Sequence, residues 1–308
     1  METKRNSGNI AAHLCMFLAA ASWGLMAPIG KDAMMNGIKG LDMVFFRVAG
    51  AALSFWGASL FLRLLGSKAE QNRPPKKDIL KFAGAGFFAI VCNQCCFTVG
   101  LSITSPINAS IVATSLPIFA LLSSAIFLRE KITLKKVLGI GLGLSGALML
   151  IMGSVSANNA KAGNIVGDLM CMASQCSFAI YLGLFSNLIS KYNVITCMKW
   201  MFTFSTLMVA PLTLGGVTVI PFAEIAPITW LESAFVVFGG TFGAYLLLAK
   251  AQKALRPTVV AMYNYVQPTT SVVVSVIAGL AVFGFSHALA ILLIIAGVYT
   301  VNSARSKN

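Results

Sequence analysis

Pro106-Ile-Asn-Ala-Ser-Ile-Val-Ala-Thr-Ser-Leu-Pro117 and Pro257-Thr-Val-Val-Ala-Met-Tyr-Asn-Tyr-Val-Gln-Pro268 decide the fold. Both stretches are uncharged, and in both the prolines stand eleven residues apart. Displacing the chain by 151 residues lays one on the other and brings Ser124 onto Ser275 and Gly146 onto Gly297. With a small drift in the offset, Arg47 falls on Lys199, 152 apart, and Leu14 and Ser22 fall on Leu169 and Ser177, 155 apart. The chain reads as one unit written twice, over residues 1–153 and 154–308.

Each copy is too apolar for water. Of 308 residues 57% are hydrophobic and 10% charged, and the mean hydropathy is +0.83. A soluble domain carries about 25% charged residues. Disordered and collagen-like chains are excluded by the same composition. Charge-free runs cover 6–30, 82–128, 137–160, 169–190, 200–223 and 257–304. A helix needs about 20 apolar residues to cross the hydrocarbon. The two long runs must therefore fold back once each, at Gly100–Pro106 and at Phe283–Ser286. Ten spans result: about 10–30, 43–63, 80–100, 106–128, 134–153, 164–189, 195–215, 229–249, 257–280 and 286–303. The first is too long for a signal-peptide core and is read as a mature helix.

Lysine and arginine set the orientation. With the N-terminus inside, the inner segments hold eighteen of them and the outer segments three: Lys31, Lys39 and Lys161. Both termini are therefore expected in the cytoplasm, the chain being integral to the plasma or inner membrane. The net charge of +14 is a topology signal spread along inner loops beside the lipid bilayer, and no nucleic-acid partner is expected. Because each half has five spans, the second must enter the membrane from the opposite side to the first. Inverted repeats of this kind suit a carrier whose midplane site opens alternately to either face.

Several motifs together resemble a family. Ser22-Trp23-Gly24 lies in span 1 and Arg47 early in span 2. Thr104-Ser-Pro-Ile-Asn-Ala109 leads to Ser115-Leu-Pro117, and Phe127-Leu-Arg-Glu130-Lys-Ile-Thr133 leads to Gly139 and Gly146. These resemble the drug/metabolite transporter superfamily and, within it, the EamA permeases, across both halves of the chain. The resemblance implies an all-α membrane protein, with ten transmembrane helices as two inverted five-helix repeats around a central cavity. It implies export of small metabolites such as amino acids. Spans 1, 3, 4, 6, 8 and 9 would line the cavity, and spans 5 and 10 would lie at the periphery, where homodimers can form. One departure stands out: where the family pattern has a second glutamate after span 9, this chain has Ala281, so Glu130 has no counterpart.

Polar groups are costly in hydrocarbon, so they should face a cavity or another helix. Span 9 is richest, with Tyr263, Asn264 and Gln267 spaced to share one helix face before Pro268, which frees a carbonyl near residue 264. Span 3 offers Asn93, Gln94 and Phe97, and the one-turn spacing of Asn93 and Phe97 makes them the candidates there. Span 4 offers Asn108 and Thr114, spans 1 and 6 offer Trp23, Ser177 and Tyr181, and span 8 offers Tyr245. Aromatic walls with a few amides suit a neutral or zwitterionic solute. The same residue types also serve interhelical hydrogen bonding. Arg47 and Lys199 sit about five residues inside their helices. They read either as snorkelling cations or as a pair guarding the outer and inner mouths.

Other chemistries find little support. Cys92-Asn-Gln-Cys95-Cys96 is half a metal motif without a second half, and no metal or cofactor is expected. Gly141-Leu-Gly143-Leu-Ser-Gly146 follows no strand and lies within an apolar helix. No Walker lysine motif and no catalytic set are present, so an enzyme is not expected. A passive facilitator remains the alternative to a carrier.

Overall fold

The computed structural model describes residues 2–66, 74–104, 109, 112–155, 164–218, 220, 222–277 and 284–304. Among these, the chain is helical with short connections. The first half comprises α1 (Glu2–Met35), α2 (Gly40–Leu64), α3 (Lys76–Gly86), a π turn (Phe87–Cys92), α4 (Asn93–Ile103), α5 (Leu116–Phe127) and α6 (Leu134–Val155). The second comprises α7 (Ile165–Leu184), α8 (Ser186–Lys191), α9 (Val194–Val217), α10 (Pro227–Val237), a second π turn (Phe238–Gly243) and α11 (Ala244–Gln252). It ends with α12 (Pro257–Met262), a 3₁₀ turn (Tyr263–Tyr265), α13 (Val266–Ile277) and α14 (Phe285–Ser303).

Among the described residues seven helices are long and apolar enough to cross a membrane, and Ile10–Met26 and Leu116–Phe127 are shorter apolar segments. Helix ends lie at both expected fold-backs: α4 stops at Ile103, and α14 starts at Phe285. The expected single span over 164–189 is divided, because the helix stops at Leu184 and restarts at Ser186. Asn108 and Ala281 lie outside the described residues.

Helix starts repeat at the offset read from the prolines. Lys76 and Pro227, Phe87 and Phe238, Asn93 and Ala244, and Leu134 and Phe285 each open equivalent segments 151 residues apart. The last helix of each half packs on its equivalent. A Cβ on Gly139 would come 2.9 Å from the Gly297 carbonyl oxygen, and one on Gly146 would come 2.5 Å from that of Ala290. Position 139 corresponds to 290, and 146 to 297, so the two contacts exchange when the halves exchange. Residue numbers rise along α6 as they fall along α14, so the pair is antiparallel. A twofold axis perpendicular to the helices has both consequences.

The interior is built for close approach. Ala19, Ala20, Ala51, Ala85, Ala89, Ala120, Ala244 and Ala249 are fully buried, while Leu53, Leu64, Leu134, Ile277 and Phe285 are largely exposed. Helices in lipid associate through such small residues, and large apolar side chains face outward. At the end of α5, Glu130 accepts a 2.7 Å ion pair from Lys136, which is fully buried and also donates to the Lys131 carbonyl.

Gly146→Ala is expected to separate α6 from α14 and cost about 1–3 kcal/mol, as overpacking does. Gly141→Ala in the same helix meets nothing within 4 Å and should unfold with the parent protein. Thermal unfolding of the detergent-purified variants checks both.

Candidate functional site

The two π turns occupy equivalent places in the third helix of each half. A π turn is rare and tends to mark a functional site, because it breaks the regular ladder and leaves carbonyls needing partners. In hydrocarbon those partners must be protein groups. Ser177 donates to the Phe88 carbonyl at 2.7 Å, and Tyr245 donates to that of Ala89 at 3.2 Å. In the other half Ser22 donates to the Gly239 carbonyl at 2.9 Å, and Trp23 donates through Nε1 to that of Gly240 at 3.0 Å. Phe88 and Gly239 are equivalent positions, as are Ala89 and Gly240, and Ser22 is the counterpart of Ser177. The serine cap is thus built twice, while the next carbonyl of each turn is capped by non-equivalent residues, Tyr245 in one half and Trp23 in the other.

Residues at equivalent positions can touch only close to the axis relating them, since their separation is twice their distance from it. Among the described residues two hydrogen bonds meet this condition. Gln94 donates to the Tyr245 hydroxyl at 3.4 Å, and Asn264 donates to the Ala113 carbonyl at 2.7 Å, each pair 151 residues apart. Gln94 is buried, and its Oε1 has no partner among the described residues. Around this axis the Trp23 ring meets Phe178 and Tyr245 edge-on at 6.3 and 5.8 Å. Gly24 lets α1 approach the Gln267 backbone, where a Cβ would come 2.7 Å from the carbonyl oxygen. Gln267 in turn donates to Asn264 Oδ1 at 2.5 Å.

Trp23, Tyr245, Asn264 and Gln267 are thus joined in one region. Arg47 adjoins it, its Nε donating to Thr241 of the second π turn at 3.0 Å. Tyr181 is fully buried and donates to Gln252 at 2.7 Å. Asn93 donates to the Ser174 carbonyl at 2.9 Å, so this amide ties α4 to α7. Phe97 is half-buried on α4 and Thr114 is buried before α5. Tyr263 turns away from Gln267, because the 3₁₀ turn rotates it toward α1, where its hydroxyl lies 2.7 Å from His13 Nδ1. Lys199 turns to α2, donating to Ser59 at 2.7 Å. Sequence reasoning named Gln94 beside Asn93 and Phe97 without keeping it among the candidates, and passed over His13 and Thr241 as site residues. The 151-residue offset pairs Gln94 with Tyr245 and was the available signal for it; nothing local marked the other two.

A transporter family model matches residues 10–152 and 165–303, one match per half. The chain belongs to the EamA-like transporter family. An uncharacterized transporter of Archaeoglobus fulgidus is 31% identical over 195 residues, covering 59% of this chain and 64% of that protein. The chain thus aligns with somewhat less than two thirds of that relative's length. The uncharacterized transporter YetK of Bacillus subtilis is 22% identical over 285 residues, covering 92% of this chain and 84% of its own. A protein crystal structure superposes with a TM-score of 0.74 at 18% identity, covering 95% of this chain and 97% of that one. At that identity the likeness concerns the fold.

In this EamA chain both ends of the central region are tied. At one end Asp78 holds Lys81, Lys191 and Tyr192 at 3.0, 2.7 and 2.5 Å, and Lys253 donates to the Tyr192 carbonyl. The hydrogen bond to Asp78 and then that to Tyr192 raise the Lys191 ammonium above its ordinary value. At the other end Thr104 donates to Asp168 at 2.5 Å and accepts from the Asn164 backbone. Asp42 in the first turn of α2 is also buried, against Gly216.

Ser22→Ala and Ser177→Ala are expected to destabilise the protein by similar amounts, about 1 kcal/mol each, since each strips one interhelical cap. Ser54→Ala removes only a bond within its own helix, to Gly50, and should be near neutral in the same unfolding measurement. Asp78→Asn is expected to speed amide exchange at 186–193 by local opening, read by hydrogen–deuterium exchange.

Proposed function

We propose that this protein exports a small neutral or zwitterionic metabolite, such as an amino acid, across the cell membrane by alternating access. The observation that carries the reading is the contact of equivalent residues, Gln94 with Tyr245, on the axis between the halves. In a carrier made of inverted repeats the axis lies in the membrane plane, so groups on it stand at the midplane, where substrate sites form. Ten spans in two inverted sets of five, with both termini cytoplasmic, complete this reading. The antiparallel contact of α6 with α14 and the doubled π turns support it.

The chemistry around the axis favours the same substrate class. Trp23 and Tyr245 supply aromatic faces, Gln94, Asn264 and Gln267 supply amides, and Arg47 supplies one cation suited to a carboxylate. A multiply charged phosphate would call for several such cations. Opening toward one side requires release of the Asp78 contacts, and toward the other, release of the Asp168 contacts.

Counterflow in liposomes is the test. Preloaded unlabelled amino acid should accelerate entry of labelled amino acid; a passive channel gives no such stimulation. Asn264→Leu and Gln267→Leu are expected to insert and accumulate normally yet lose exchange. Normal exchange in both variants would remove span 9 from the pathway. Cysteines introduced at Ala157, Ala162 and Thr218 should react with an impermeant maleimide in intact cells, and those at Gln71 and Lys135 should not. Labelling at Gln71 would reverse the orientation.

A further inference from the structure

A second site lies on the outside of the bundle, apart from the axis. A cavity of about 290 Å³ opens against α2, lined by Trp56, Gly57, Ser59, Leu60 and Arg63. The space beside Gly57 is open, since a Cβ there would meet nothing within 4 Å. Its floor is an ordered polar chain. Lys199 of α9 is 3% exposed, donates to Ser59 at 2.7 Å and lies 5.2 Å from the Trp56 ring centroid. Trp56 donates to the Thr203 hydroxyl at 2.8 Å, and that hydroxyl donates to the Lys199 carbonyl at 2.6 Å. The Trp200 ring packs edge-on against Trp56 at 5.6 Å. At the rim Arg63, in the last turn of α2, is exposed and pairs with no carboxylate among the described residues. Beside it Leu53, Leu60 and Leu64 are 60–78% exposed, an apolar wall running toward the middle of the helix.

We propose that this groove binds one anionic phospholipid, its phosphate held by Arg63 with the buried Lys199–Ser59 pair behind. Three features converge on a lipid. The charges are positive, and a guanidinium reads phosphate oxygens in pairs. The indoles sit beside the charges, where aromatic rings mark the membrane–water boundary. The leucine wall continues from the polar floor along α2, matching a headgroup followed by an acyl chain. In the orientation read from the loops, this end of α2 meets the cytoplasmic leaflet, where anionic lipid is concentrated. The site joins α2 of one half to α9 of the other, and these two helices are equivalent. A lipid seated there would brace the seam along which the halves move.

Native mass spectrometry of the detergent-purified protein, equilibrated with equal amounts of phosphatidylglycerol and phosphatidylcholine, tests this. One phosphatidylglycerol should be retained in preference, and Arg63→Gln should weaken its retention roughly tenfold, the value of a charge-assisted hydrogen bond. Arg63 is exposed at a helix end, so this variant should fold even where Lys199→Gln does not. Lys250→Gln removes an exposed charge from another helix end and should leave retention unchanged. Equal retention of the two lipids, no effect of Arg63→Gln, or an equal effect of Lys250→Gln would overturn the proposal. Displacement of the lipid by soluble glycerol phosphate at matched concentration would assign the site to a free phosphate instead. None of these readings involves transport, so they stand or fall separately from the carrier reading.

Discussion

A backbone carbonyl inside hydrocarbon has no water to turn to, and this one constraint organises the centre of the protein. Each half carries a π turn in its third helix, and each π turn presents carbonyls that must find donors elsewhere. Ser177 and Tyr245 of the second half serve the first π turn, while Ser22 and Trp23 of the first half serve the second. The caps therefore cross between halves. Neither half can satisfy its own turn by these bonds, so the turns hold the two repeats in register.

The same crossing explains why the aromatic and amide groups gather where they do. Trp23 and Tyr245 are placed by their bonds to the π turns, and their rings then meet over the axis. Gln94 follows the first π turn directly, which aims it at Tyr245. On the far side Gly24 brings α1 against the backbone of Gln267, tying the Trp23 cap to the amides of Asn264 and Gln267. The interactions that hold the repeats together are made by many of the side chains proposed to contact a substrate. In the proposed carrier such sharing would let the site and the interface respond to each other as access alternates.

Much of the architecture was legible because hydrophobic length and proline spacing are local signals. Charge-free runs located the helices, and the offset between Pro106 and Pro257 located the repeat. The site was legible by type but only in part by position. Trp23, Tyr245, Asn264 and Gln267 were singled out because polar groups are scarce in such helices, and the fold brings them together. Asn93 and Gln94 look alike in sequence, and the π turn immediately before them decides that Gln94 faces the axis while Asn93 ties α4 to α7. Tyr263 looked like a neighbour of Gln267 on an ideal helix; the 3₁₀ turn sends it to His13 instead.

What the sequence determined by itself was the membrane, the number of repeats and the family, since these rest on composition, periodicity and motif. Tertiary structure alone decided which side chain meets which carbonyl. Lys199 shows the difference most plainly. One residue beyond Arg47 in the repeat offset, it read either as a snorkelling cation or as the second of a pair at the pathway mouths. Arg47 does bond the second π turn, yet Lys199 bonds Ser59 beneath Trp56. The halves share a backbone plan but not their neighbours' side chains: Arg47 meets Thr241 across the seam, and Lys199 meets a serine and an indole. A long cation goes to the partner within reach, and that partner is supplied by a helix more than a hundred residues away in the chain.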